Sequence, residues 1–422
     1  MTPVDVAAPP SLWHNRGFRS LWAAQGISAF GDRITELALP LIAVVVLHAS
    51  PNEVALITAA VWLPNLLALF LGAWVDHQQH KRRLLIAADI LRAVVLLSLP
   101  VAYAFDGVTL GQLYAVALLI GAGEVLFNMA NPPFFVSLVP RAAYIEANSK
   151  LSATRSLSFI AGPAIGGVLI QVLTAPIAML LDALSFLASA VFLRRIRVVE
   201  PAREDDVQPT MSVVHRSWEG LRFVTHHPVL RASLGCATTV NFFTFMSGAL
   251  LVLFASRSLD LSAGLIGAAF GVGAVGGLLG ALLAPVVSRR IGVGHTIVVG
   301  AILFPAPIAL AALADQSQPV WARLGALAAA ELFSSIGVML FDVNLNALQT
   351  SVVPDGLRSR VTGAYSAVNY GVRPLGAVAG GFLGTWLGVR PTLLVAAAGG
   401  AVAFLWLLPS PIPGVRSLDD DG

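Results

Sequence analysis

The chain has 422 residues, 57% hydrophobic and only 12% charged, with a mean hydropathy of +0.80. Soluble globular proteins carry about a quarter charged residues, so a soluble fold is excluded. The formal charge of +3 sits in loops between apolar runs, which excludes a nucleic-acid surface, and the single Cys236 excludes an internal disulfide framework.

Residues 1–13 lack the basic start and short apolar core of a cleavable leader, so the first apolar run is expected to stay in the mature chain. A bilayer span needs about 20 apolar residues. The sequence predicts twelve of them, at 18–47, 54–75, 84–105, 110–130, 152–173, 175–193, 229–254, 263–288, 296–313, 320–345, 361–387 and 391–408. The predicted fold class is therefore an all-α polytopic membrane protein with twelve transmembrane helices. Between the second and third runs lies Gly72-Ala-Trp-Val-Asp76-His-Gln-Gln-His-Lys81-Arg82-Arg83, and short connections rich in Lys and Arg stay on the cytoplasmic side. With the loops alternating, 20 of the 26 Lys and Arg fall on that same side, which predicts a multi-pass plasma-membrane (inner-membrane) protein with both termini cytoplasmic.

The longest connection divides the runs six and six. Residues 1–193 are predicted as an N-terminal half, 194–228 as a cytoplasmic linker with a surface helix at 213–224, and 229–422 as a C-terminal half. Internal matches support two related halves. Ser137-Leu-Val-Pro140 recurs 214 residues later as Ser351-Val-Val-Pro354, and Gly166-Gly167 recurs at that offset as Gly380-Gly381. At a 208-residue offset Gly72 meets Gly280, and Lys81-Arg82 meets Arg289-Arg290.

No G-x-x-x-x-G-K-[ST] loop is present and the eight histidines are scattered, so neither ATP hydrolysis nor a metal site is expected, and the chain does not read as an enzyme. The chemistry lies in charges placed within apolar runs, which are functional candidates by default because they are costly there. Gln25, Ser28, Asp32 and Glu36 recur every three or four residues and form one polar stripe on the first span. Thr238, Asn241 and Thr244 answer it on the seventh, Asn241 matching Asp32 at a 209-residue offset. Glu124 and Asn128 share a face of span four; Glu331, Ser335 and Asp342 share a face of span ten. Arg373 follows Asn369 by one turn in span eleven, and a buried guanidinium cannot shed its proton, so a carboxylate partner is expected, either Glu331 or Asp32. Asp89 and Arg92, at i and i+3, read as a helix-surface ion pair, and Asp182 as a structural carboxylate. Gly267, Gly271, Gly273, Gly276, Gly277 and Gly280 form small-residue ridges for close helix approach, and Pro64, Pro163, Pro285, Pro305, Pro307 and Pro374 are expected to kink or end helices.

Two six-helix halves with a basic loop between spans two and three resemble the major facilitator superfamily. Gly72-x-x-x-Asp76 followed by Lys81-Arg82-Arg83 is similar to that family's loop signature, with His77 and His80 standing where it usually has Arg or Lys. Phe18-Arg19-x-Leu21-Trp22, Gly31-Asp32-Arg33, Ala38-Leu39-Pro40-Leu41 and Ala88-Asp89-Ile90-Leu91-Arg92 resemble the branch with macrolide-efflux and enterobactin-exporter proteins. Gly162-Pro163-Ala-Ile-Gly166-Gly167 resembles the exporter signature of span five, whereas span four carries Glu124 in place of the usual Arg. The resemblance implies the major facilitator fold and alternating access. It implies a central cavity lined by spans one, four, seven and ten, with Asp32, Glu36, Glu124, Glu331, Arg373 and Asn241 in proton coupling or substrate binding. It further implies a cytoplasmic gate of Gly72, Asp76, Lys81, Arg82, Arg83, Asp89 and Arg92, and a sliding contact between spans five and eight. The expected activity is proton-driven export of a small amphipathic compound, with the proton gradient as energy source, no cofactor, no nucleic acid and a monomer in the lipid bilayer. Import of a polar nutrient, or a non-transporting scaffold or receptor, are the alternatives.

Overall fold

The computed structural model describes residues 12–198, 213–354 and 357–417. Helices follow the hydropathy pattern closely. They are α1 (Arg16–Leu41), α2 (Pro51–Trp62), α3 (Ala68–His77), α4 (Lys81–Ala104), α5 (Leu110–Leu138), α6 (Tyr144–Leu173) and α7 (Ala175–Arg195). After a surface helix α8 (Val213–His226) come α9 (Pro228–Leu253), α10 (Ala263–Ile291), α11 (Val293–Leu303), α12 (Ile308–Leu313), α13 (Val320–Val352), α14 (Arg358–Trp386) and α15 (Val389–Ala401). Among the described residues nine helices are each long and apolar enough to cross a bilayer. The predicted spans outside that set are α1, which carries Asp32, Arg33 and Glu36; the second, split into α2 and α3; and α14, which carries Asn369 and Arg373. Much of the predicted linker, residues 199–212, lies outside the described residues.

Prolines act unevenly. Pro64 coincides with a 3-10 turn, Leu63–Leu67, that separates α2 from α3, and the pair Pro305 and Pro307 breaks the ninth span between α11 and α12. Pro163, Pro285 and Pro374 stay inside continuous α-helices, where each removes only one backbone donor. Paired signals mark the helix ends. The first span ends in a π-turn, Ile42–Val46, and the seventh in another, Phe254–Ser258, 212 residues on. Each is followed by a residue in the left-handed region, His48 (φ 51°) and Asp260 (φ 49°), and then by an N-capping serine position, Ser50 and Ser262.

The repeated glycine pair explains itself in the packing. A Cβ on Gly166 would come within 3.3 Å of Ile34 Cα on α1, and one on Gly167 within 2.9 Å of Gly267 Cα on α10. In the repeat, a Cβ on Gly380 would lie 3.0 Å from Met246 Cα on α9, and one on Gly381 2.6 Å from Ala55 Cβ on α2. Each first glycine admits the opening helix of its own six-helix set, and each second admits the second span of the other set. Gly162 also backs onto α1, at Arg33, and Pro163 turns its carbonyl toward Gly267, so the exporter-like motif serves two different contacts. The span-eight ridge divides similarly: Gly267 and Gly271 face α6, while Gly273, Gly276 and Gly280 face α13.

Candidate functional site

Charge in the first six spans is gathered at α1, α4 and α7. Arg92 on α4, only 3% exposed, donates from Nη2 to Asp89 Oδ1 at 2.6 Å and lies 3.8 Å from Asp32 Oδ1 on α1. Asp89 is fully buried and also accepts a 2.6 Å hydrogen bond from Ser189 Oγ on α7. The guanidinium carbon sits 4.1 Å from the Phe186 ring centroid and 5.2 Å from that of Phe127. Gly123 on α5 leaves room for the stem of Arg92, since a Cβ there would come within 2.7 Å of Arg92 Cγ. One turn along α1, Thr35 donates to Asp182, a fully buried carboxylate that also accepts from Ser185 at 2.9 Å. Two aspartates from two helices thus meet one arginine, and a third, Asp182, lies one turn farther along α1.

The polar stripe of α1 therefore has several destinations. Gln25 donates to Asn131 at 2.8 Å and accepts from Arg155 at 3.1 Å, while Ser28 bonds back to the Gln25 carbonyl. Asp32 meets Arg92, and the exposed Glu36 pairs with Arg33 at 2.6 Å. The Asp89–Arg92 pair has the predicted spacing, but it is buried and not on a helix surface. Asp182, read as a structural carboxylate, is fully buried where α7 meets α1. Thr35, Ser185 and Ser189 were not singled out in the sequence; Asp182, Ser185 and Ser189 at i, i+3 and i+7 form a short polar stripe that signals them.

The later spans hold a cavity of about 390 Å³ between α9, α13 and α14. It runs from Arg373, midway along α14, to Arg358 at that helix's first residue, and Asn241, Asp342 and Asn369 line it. Asn241 donates to Asn369 at 3.1 Å across the α9–α14 contact. No carboxylate oxygen approaches the Arg373 guanidinium within 4.0 Å among the described residues, in contrast to the expected pairing with Glu331 or Asp32. Aromatic rings surround it instead: its carbon lies 4.3 Å from the centroids of Trp62 and Tyr370 and 5.0 Å from that of Phe245. Contacts of this kind contribute about 0.5–2 kcal/mol each, so the rings stabilise the cation without neutralising it. Glu331 lies apart from the cavity, against Gly273 of α10, and Glu124 stands exposed on α5.

At the basic loop, Lys81 donates to the Val75 carbonyl and Arg82 to the Ile196 carbonyl, so two of the three cations cap backbone within the first six-helix set. Gly72 faces Met129, Arg83 is exposed, and the Asp76 side chain lies outside the described residues. The opposite ends of the helices are tied across the two sets. Arg257 at the end of the seventh span donates to the Val44 and Ala49 carbonyls of the first, both at 2.8 Å, and Gln171 Oε1 accepts from Gly264 N at 3.0 Å. The cavity reaches the face bearing the basic loops, and the cross-set hydrogen bonds lie at the other.

The family model described as Major Facilitator Superfamily matches residues 21–373 and 234–420. The chain belongs to this superfamily. It is a multi-pass membrane transporter and not an enzyme. Among curated relatives, the multidrug efflux pump Tap of Mycolicibacterium fortuitum is 28% identical over 410 residues, covering 92% of this chain and 94% of the relative. The uncharacterised MFS-type transporter YfiS of Bacillus subtilis is 26% identical, covering 92% and 91%. Solved structures share the fold. The nucleoside transporter NupG superposes with a TM-score of 0.74 at 12% identity, covering 93% of this chain and 99% of that one. A bacterial homologue of the iron transporter ferroportin, in an inward-facing state, gives 0.72 at 18%, covering 95% and 99%.

Proposed function

We propose that this superfamily member is a proton-coupled exporter of small amphipathic compounds working by alternating access. The observation that carries the reading is the surplus of buried carboxylate around Arg92. One guanidinium faces Asp32 and Asp89, with Asp182 one helix turn away, and uncompensated negative charge in a low-dielectric interior is costly. Taking up a proton removes that cost, so the cluster has a reason to bind a proton in one state and release it in another. Asp32 is its most accessible member, with a side chain 39% exposed against 0% for Asp89.

The basic face is cytoplasmic by its excess of Lys and Arg. On that reading the cavity is open to the cytoplasm and the Arg257 and Gln171 contacts close the outer side, the arrangement in which an exporter loads. Residues 1–193 and 229–422 then rock as two halves about the α2–α14 and α6–α10 contacts. Relatives named as multidrug efflux pumps support export of amphipathic compounds, and Phe245 and Tyr370 at the Arg373 end of the cavity offer a surface for apolar, aromatic groups.

Purified protein in liposomes with an imposed proton gradient tests this, with fluorescent amphipathic cations and neutral antibiotics as substrates and Asp32→Asn and Glu331→Gln as variants. Gradient-driven movement by the native chain is expected, lost in Asp32→Asn and retained in a folded Glu331→Gln, since Glu331 lies outside both the cluster and the cavity. Unchanged transport in Asp32→Asn would overturn the coupling assignment. No movement of any compound would overturn the export reading.

A further inference from the structure

We propose that the cavity between α9, α13 and α14 selects a zwitterionic compound, one that carries an anionic group and a separate cationic group on an aromatic body. This rests on the reading of that cavity as the substrate site.

Arg373 and Asp342 line one cavity whose other charged residue is Arg358, and neither of the two forms an ion pair among the described residues. Arg373 has no carboxylate oxygen within 4.0 Å, and its Nε is buried without a hydrogen-bond partner. Asp342, exposed on α13, has neither a hydrogen bond nor an ion pair among the described residues. The two side chains line the same cavity, yet they form no ion pair. In the first six-helix set, by contrast, Arg33 and Arg92 each hold a carboxylate at 2.6 Å. A permanent cation that faces a cavity without a carboxylate suits an anionic group of a ligand, and the open carboxylate in the same wall suits a cationic one.

The rings supply the rest. Phe245 and Tyr370 line the cavity beside the guanidinium, so an aromatic body can pack against them while its acid reaches Arg373. Asn241 and Asn369 add neutral donors and acceptors along the wall. A volume of about 390 Å³ falls within the range of small-molecule sites, roughly 300–1,000 Å³, and is too small for a peptide of any length. A purely cationic amphipath would find only Asp342 to pair with and a simple anion only an arginine, so each would bind more weakly than a compound that meets both Arg373 and Asp342.

The test uses the full chain in lipid nanodiscs and three probes that share one fluorophore: Nε-dansyl-lysine, a zwitterion; dansylcadaverine, a cation; and dansylglycine, an anion. The zwitterion is expected to bind about tenfold more tightly than either, the size of one charge-assisted hydrogen bond lost. Arg373→Gln should abolish the advantage of the zwitterion over the cation and leave cation affinity unchanged or raised. Asp342→Asn should abolish its advantage over the anion. Arg373→Lys keeps the charge and should keep the ranking, which separates loss of charge from loss of folding. Equal affinity for zwitterion and cation in the native chain overturns the proposal, as does a ranking unmoved by both substitutions, or no binding of any probe. If proton-driven transport of amphipaths is seen without the ranking, only this inference falls; if no transport is seen, the reading beneath it falls.

Discussion

The two six-helix sets treat the same problem, charge inside a membrane, in opposite ways. Around α1, α4 and α7 the charges are gathered into a cluster: Arg92 is 3% exposed and in ion-pair contact with two aspartates, with Asp182 buried beside them. Around α9, α13 and α14, Arg373 and Asp342 face one cavity without forming an ion pair, and the 212-residue spacing of the π-turns sets the neutral Thr244 opposite Asp32. Backbone symmetry survives in the π-turns and glycine pairs, whereas the helix breaks at Pro64 and at Pro305 and Pro307 and the charged side chains differ between the sets. A paired, buried cluster suits an ion whose only variable is protonation, and an open, unpaired site suits a bulkier ligand. That division is the physical basis for proposing proton coupling in the first set and substrate binding in the second.

The sharpest way to break this comparison is to remove the cation on which the first cluster depends. Arg92→Gln leaves Asp89 fully buried and Asp32 without its counter-charge, and breaking a buried pair typically costs about 3–5 kcal/mol. The thermal unfolding midpoint of the purified variant should fall steeply, and adding Asp89→Asn should recover a good part of the loss, because the orphaned charge goes with it. An unchanged midpoint in Arg92→Gln would mean that the cluster does not hold the helices together. Arg373→Gln removes ring contacts but orphans no buried carboxylate, so its midpoint should fall less than that of Arg92→Gln.

These contrasts bear on what the sequence could say. Hydropathy located the spans because a bilayer imposes a length on apolar runs, and even the breaks at Pro64 and Pro305–Pro307 could be anticipated from a missing donor and a fixed φ. The Asp89–Arg92 pair was legible as an i, i+3 spacing. Its burial, and its link to Asp32 some sixty positions earlier, were not, because helix periodicity gives the face of a residue and not the identity of the helix opposite. Arg373 misled for a related reason. Charge balance suggested a carboxylate, whereas Trp62, Tyr370 and Phe245 stabilise a guanidinium through their ring faces, and nothing in a linear string marks three rings from three helices as one box. Gly166-Gly167 and Gly380-Gly381 were visible as a repeat, and only the packing explains why the two glycines of each pair differ in partner.

A milder perturbation addresses how the sets are held together. Arg257 makes two charge-assisted hydrogen bonds to carbonyls of the other set, on the face away from the cavity mouth. Because freed carbonyls at that face can be hydrated, Arg257→Ala should cost the closed arrangement about 2 kcal/mol, roughly a thirtyfold shift in its equilibrium with a form open there. Spin labels at Asp106 and Val320, exposed positions at that end of the two sets, would report the shift as a longer distance population. A distribution identical to that of the native chain would show that the glycine contacts alone close this face.

The smallest expected effect is local and separates backbone symmetry from side-chain divergence within one motif. Ser50 and Ser262 occupy equivalent caps, but only Ser50 forms a full capping box, donating through its backbone N–H and hydroxyl to Glu53 while its own oxygen accepts from Glu53 N. Those donors hold the Glu53 carboxyl below its ordinary range. A carboxylate depressed in the folded state adds stability that is present above its unfolded pKa and is lost as pH falls through the lower, folded one, so the cap should loosen only under acid. Ser50→Ala removes about 1 kcal/mol from the start of α2, and backbone amides at 53–55 should then exchange roughly fivefold faster at neutral pH. The equivalent Ser262→Ala should change exchange at the start of α10 far less, since no acidic residue follows it to complete a box. Equal effects at the two caps would mean that the serine hydroxyl alone matters, and that the two sets are alike at the face where Arg257 joins them.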